Sequence, residues 1–176
     1  MKFIETLLPG AYIIELEKYA DERGYFARTY CQKEFRSRGL HDTFVQSNVS
    51  YNRQKGTLRG MHYQAEPYGE VKVVTCTAGE IYDVIIDLRP DSETYCRWFG
   101  VSLSETYEQS LYIPKGFAHG FQTIRDNSIV HYQMGEFYQP DYARGVRWDD
   151  PIFGIQWPLP VSTVSEKDSN YPDFKK

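Results

Sequence analysis

Apolar and polar positions alternate along most of this chain in short runs separated by turn-forming residues. The runs are "AYIIELEKY" (11–19), "GYFARTY" (24–30), "TFVQSNVSY" (43–51), "GTLRGMHYQ" (56–64), "VKVVTCTAGEIYDVIIDLRP" (71–90), "RWFGVSL" (97–103), "SLYIPKGFAHGFQTI" (110–124) and "SIVHYQMGEFYQP" (128–140). Successive side chains of a strand face opposite ways, so each run predicts a strand, and a series of them predicts an antiparallel sandwich or barrel. The run 71–90 predicts a hairpin turning at Ala78-Gly79. A short helix is expected over 33–38, closed by Gly39. No repeat, low-complexity tract or linker divides the sequence, so residues 1–176 are read as one domain.

Alternation also sorts the charges. Lys72 falls on the face of Val74 and Cys76, and Asp83 on the face of Ile81 and Ile85. Such a charge either sits at the mouth of a sheet with its tip in water or stands inside a pocket with apolar walls. The pattern alone leaves both readings open.

Hydrophobic residues at 41% and charged residues at 25% are ordinary, but 15 Tyr, 10 Phe and 3 Trp bring the aromatic share to 16%. Tyrosine favours strands and places hydroxyls on apolar walls, which suits a polar ligand. A net charge of −4 makes the chain as a whole no binder of nucleic acid, so an anionic ligand needs a local Arg/Lys cluster. Cys31, Cys76 and Cys96 form no close pair and no metal spacing, and no signal peptide or membrane-spanning run is present. A reducing cytoplasm is the expected setting, with no membrane partner.

"RGMHYQ" (59–64) places a guanidinium and an imidazole three positions apart. Strict alternation would send Arg59 and His62 to opposite faces. If both serve one ligand, a bulge or kink is required at Gly60. Metal-binding jelly rolls often use an HxH pair, and here the second position is Gln64; His119 and His131 are scattered, so no metal is expected. His119, in "IPKGFAHGF", either faces a ligand or caps a tight turn. By itself Arg23, in "DERGYF", reads first as a free surface arginine, and "SEKD" (165–168) as a polar tail.

Together and in this order, "DERGYF", "FVQSNVSYN", "GTLRGMHYQ", "VKVVTCTAGEIYDVIIDLRPDSETY", "LYIPKGFAHGF", "YQMGEFY", "GVRWDDPIFGIQWP" and "SEKD" resemble the dTDP-4-dehydrorhamnose 3,5-epimerase family over nearly the whole chain. The resemblance implies an all-β, cupin-like antiparallel jelly roll with a few short helices. It also implies a homodimer that exchanges N-terminal strands, no cofactor, and a nucleotide-linked 4-keto-6-deoxyhexose as substrate. By resemblance His62 is the base, Asp168 its orienting carboxylate, Lys72 the cation at the C4 oxygen and Tyr132 the acid on the opposite face. Arg23 and Arg59 match diphosphate contacts. Phe26, Arg28, Gln46, Ser47, Asn48, His119 and Lys167 match further substrate contacts, and Tyr138 matches an aromatic that stacks on the nucleobase.

These residue types suit the chemistry. A hydrogen beside a ketone is a weak carbon acid, and its removal needs a base, a stabilised enolate oxygen and an acid for the return. A phenol, with a pKa of about 10, is a protonated donor at neutral pH. Two departures from the family pattern, Arg28 and Ala143 where glutamates are common, shift local charge toward positive. They leave open a CDP- or GDP-linked sugar and inversion at a single carbon. A metal-dependent cupin oxygenase or isomerase, and a non-catalytic sugar-nucleotide binder, are the rival classes.

Overall fold

The computed structural model describes residues 1–176. Its strands are β1 (Lys2–Glu5), β2 (Tyr12–Glu15), β3 (Lys18–Asp21), β4 (Gly24–Ala27), β5 (Gln46–Asn52), β6 (Leu58–Gln64), β7 (Lys72–Ala78), β8 (Glu80–Asp87), β9 (Trp98–Ser104), β10 (Gln109–Ile113), β11 (Phe117–Thr123), β12 (Ser128–Met134) and β13 (Ala143–Gly145). Helix α1 spans Gln32–Arg36, and α2 spans Glu166–Ser169. A six-stranded sheet runs β1-β2-β10-β7-β12-β5 and a five-stranded sheet runs β13-β6-β11-β8-β9. All strand pairings between these elements are antiparallel, and the two sheets form a cupin-like jelly roll.

Alternation explains the layers. Val74 and Cys76 of β7, Ile81 and Ile85 of β8, Leu111 of β10, Phe121 of β11 and Val130 of β12 meet in the interior between the sheets. The intervening positions face outward. Val73 packs with Phe35 of α1 and Tyr112, so α1 covers the six-stranded sheet. Met61, Val84 and Ile86 pack beneath Val146, Phe153 and the C-terminal aromatics, which cover the five-stranded sheet. Burial of this kind is the main favourable term in the fold.

The expected hairpin over 71–90 is not a hairpin. β7 belongs to the six-stranded sheet and β8 to the five-stranded one, so the chain turns a corner at Gly79, where φ is +75°. The cause is packing. Residues 74, 76, 81 and 85 all have to be interior, and two facing sheets accommodate them where one flat ribbon would bury them against nothing. The helix near 33–38 forms at Gln32–Arg36, followed by Gly39 at φ +69°. β3 and β4 pair only with each other and leave Tyr19, Tyr25 and Phe26 exposed.

Candidate active site

A cavity of about 600 Å³ opens between the sheets. The five-stranded sheet contributes Arg59, His62 and Gln64 from β6, His119 and Phe121 from β11, and Ala143 and Arg144 from β13. The six-stranded sheet faces them with Lys72 from β7, Tyr132 and Met134 from β12, and Asn48 and Ser50 from β5. The C-terminal segment closes one side with Ser165, Lys167, Asp168 and Tyr171.

Strand β6 holds the expected irregularity. His62 lies opposite His119 and Arg59 opposite Phe121, so Gly60 and Met61 together face the single residue Gly120. The extra residue turns Arg59 and His62 into the same cavity while Met61 points to the outer core. Gly60 sits at φ +134°, and a Cβ there would lie 2.5 Å from the Cα of Gly120. Only two glycines permit this approach.

His62 donates from Nε2 to Asp168 Oδ1 at 2.6 Å, which leaves Nδ1 as the basic nitrogen. The other carboxylate oxygen accepts from the Gly60 N–H at 3.2 Å. Asp168 reaches this place through a short capped turn, for its own N–H donates to Ser165 Oγ at 3.1 Å. "SEKD" is therefore no loose tail. Burial pushes the Asp168 carboxyl upward, but its bonds from His62, Gly60 and Ser165 outweigh that and hold it below the ordinary carboxylate range.

Lys72 is buried beside Glu70, with Nζ to Oε1 at 2.7 Å, and donates to the His62 carbonyl at 3.2 Å. A second imidazole–carboxylate couple lies deeper: His119 Nε2 donates to Asp83 Oδ1 at 2.5 Å, and Asp83 is fully buried. Pairing of this kind is what makes buried charge tolerable. Lys72 and Asp83 are thus interior groups, not charges at the mouth of a sheet. Tyr132 stands edge-on to His119 with ring centroids 6.1 Å apart. Burial, reinforced by the Asp83 carboxylate, raises its phenol above the usual value, so the hydroxyl keeps its proton at neutral pH. Arg59 is aimed by its Nε bond to Asn52 Oδ1 at 2.7 Å.

Not every expected site residue joins them. Arg23, Phe26 and Arg28 lie on or beside the β3–β4 ribbon, exposed and outside this chain's cavity; Arg23 pairs with Asp21 and Arg28 with Glu34. Ser47 lies on the opposite face of β5 from Asn48, since one residue of a strand reverses the side chain. Gln46 is at the rim, bonded to Asn48 and to the Tyr138 N–H. Gln64 takes a structural part: its amide holds the 137–139 loop through the Phe137 carbonyl and the Gln139 N–H, which sets Tyr138 at the mouth.

The motifs did not point to Glu70, Asn52 or Tyr171. Glu70 sits two residues from Lys72, a spacing that signals a same-face partner only once a strand start is known. Tyr171 gave no signal, because nothing in the sequence says that the segment after "SEKD" returns to the cavity. No three His, Cys, Asp or Glu side chains converge with metal-ligand spacing.

The family model for dTDP-4-dehydrorhamnose 3,5-epimerase matches residues 5–176. A dTDP-4-dehydrorhamnose 3,5-epimerase of Methanothermobacter thermautotrophicus is 47% identical over 179 residues, covering 99% of this chain and 95% of that relative. The crystal structure of the enzyme so named from Elizabethkingia anophelis superposes with a TM-score of 0.96 at 38% identity, over 99% of this chain and 96% of the other. A Bacillus anthracis structure with TDP and PPi bound gives 0.94 at 41% identity, over 98% and 99%.

Proposed function

The chain belongs to the dTDP-4-dehydrorhamnose 3,5-epimerase family, and from that premise we propose that it inverts C3 and C5 of a dTDP-linked 4-keto-6-deoxyhexose. The reaction would convert dTDP-4-dehydro-6-deoxy-D-glucose into dTDP-4-dehydro-L-rhamnose. The observation that carries this reading is one cavity in which an imidazole–carboxylate couple and a buried phenol stand on opposing sheets, with an ammonium beside them.

In this reading the sugar ring lies between the sheets. Nδ1 of His62 takes the proton from the carbon next to the ketone, and Asp168 stabilises the imidazolium that results. The electron pair moves onto the ketone oxygen, where the Lys72 ammonium offsets the developing charge. Tyr132 returns a proton to the opposite face of the carbon. One proton leaves and one arrives, so the sugar changes configuration and not composition, and exchange with water resets both groups. Arg59 takes the diphosphate with its guanidinium fork, His119, Asn48 and Lys167 line the path, and Tyr138 stacks on the base. Arg23, Phe26, Arg28 and Ser47, outside this cavity, act in a homodimer: the β3–β4 ribbon carries the first three to the neighbouring subunit's site. Three free thiols suit a reducing cytoplasm.

NMR in heavy water tests the reading. The dTDP substrate should gain deuterium at C3 and C5 without added metal, and His62→Ala should slow that exchange by about 10²–10⁴-fold, the usual weight of a general base. Exchange at a near wild-type rate in the variant would remove His62 from the role. Ala143 lines the cavity where the family pattern commonly has a carboxylate, so the CDP and GDP forms belong in the same comparison.

A further inference from the structure

Asn48, Ser50 and Asn52 share one face of β5 by alternation, and Asn52 is the last residue of that strand. The chain turns over residues 53–57 and returns in the other sheet as β6, so Asn52 and Arg59 meet across the gap between the sheets. Asn52 is buried and does not line the cavity, whereas Arg59 is exposed and does.

All four hydrogen-bonding positions of the Asn52 amide are filled. Nδ2 donates to the Ser128 carbonyl at 3.2 Å and to the Ser50 carbonyl at 3.3 Å. Oδ1 accepts from Arg59 Nε at 2.7 Å and from Ser50 Oγ at 3.4 Å. Turning the amide over would set its NH2 against a guanidinium N–H and its oxygen against two carbonyls. The β5–β12 pair, in which Asn52 lies opposite Ser128, therefore fixes which end of the amide faces Arg59.

The kind of partner matters as much as its place. Arg23, Arg28, Arg36, Arg89, Arg125 and Arg147 each pair with a carboxylate. Arg59 is held instead by a neutral amide, through Nε, and its two Nη groups bond to nothing in the chain. A carboxylate would aim the guanidinium but also offset its charge. The amide aims it and leaves the whole charge for a ligand. A free arginine would also give up rotamer freedom on binding, and fixing it beforehand removes that cost.

We propose that Asn52 is a positioning residue for anion binding, locking Arg59 in advance as an uncompensated fork for the substrate's diphosphate. The inference rests on the nucleotide-sugar reading of this cavity, which gives Arg59 the diphosphate.

Calorimetry with dTDP on wild type, Asn52→Ala, Arg59→Ala and the double variant tests it, and needs no catalysis. Asn52→Ala should weaken dTDP about three- to tenfold, the weight of ordering one long side chain. In the Arg59→Ala background the same substitution should change nothing, because its effect runs through the guanidinium. In turnover, Asn52→Ala should raise KM by its dTDP factor with kcat held, since the diphosphate is gripped alike in ground and transition states. Asn52→Asp, which keeps the side chain's size, should weaken dTDP and flatten the fall of its affinity with added salt. Unchanged dTDP binding in either Asn52 variant would overturn the proposal. An equal loss with and without Arg59 would overturn it too, leaving Asn52 a tie between β5 and β12. If Arg59→Ala binds dTDP as wild type does, the diphosphate assignment of Arg59 fails and this inference with it. If Arg59→Ala binds weakly while the Asn52 effect persists beside it, this inference alone fails.

Discussion

A phenol is a poor acid and an imidazole a moderate base, and neither handles a carbon-bound proton without help from its surroundings. Here the help is visible side chain by side chain. Asp168 fixes the tautomer of His62, Glu70 holds Lys72, and the interior keeps Tyr132 protonated. If Tyr132 returns the proton, Tyr132→Phe should bind dTDP almost as wild type, because it deletes one buried hydroxyl, yet should impair reprotonation and change the ratio of products seen by NMR. An unaltered ratio would take Tyr132 out of the role. His62, Lys72, Tyr132 and Asp168, which the family resemblance names as a set, line one cavity. What the motifs lacked was the supporting layer. Asp83, Glu70 and Asn52 act through partners that alternation places on the right face but does not identify.

Strand β6 is the element on which the site turns, since its bulge is the reason Arg59 and His62 enter one cavity. Gly60→Ala tests that claim. At φ +134°, with a backbone carbon 2.5 Å from the new Cβ, the variant should lose about 2 kcal/mol or more from strain and local opening. For a chain of this length that is a fall in Tm of roughly 4–8 °C, with loss of exchange activity as His62 shifts. An unchanged Tm would mean that the two glycines are not in contact. The bulge was readable beforehand because two residues three apart were required on one face. The corner at Gly79 was not, since alternation reports which side of a strand is buried but not which sheet the strand joins. α2 was equally hidden: four residues carry too little periodicity, and only the Ser165 cap identifies the turn.

At the scale of the whole molecule, the two sheets hold the cavity between them and the C-terminal segment walls one side of it. The β3–β4 ribbon stands away from it with Phe26 at 74% exposure and Tyr19 at 72%. Apolar surface of that size on a paired ribbon suits a partner, and the proposed partner is a second copy. Light scattering should return twice the protomer mass. Phe26→Asp should shift that mass toward the protomer and raise KM for the dTDP sugar, because Arg23 would leave the neighbouring site together with the ribbon. A variant that stays at the full mass with wild-type KM would mean that the ribbon serves something else.

Binary patterning carries information that is local or additive, and so it sufficed for an antiparallel β architecture and the short helix, while the resemblance to a family named the four candidate groups that share the cavity. Partner identity over long separations is of another kind. Asp168 meets His62 across 106 positions, and Asp83 meets His119 across 36. Such pairs are chosen by how two twisted sheets and a returning C-terminal segment pack. That is an energetic compromise among many contacts, and no short stretch of sequence encodes it. For the same reason Tyr171 drew no notice in the sequence, and its place in the cavity beside His62 came only with the returning C-terminal segment.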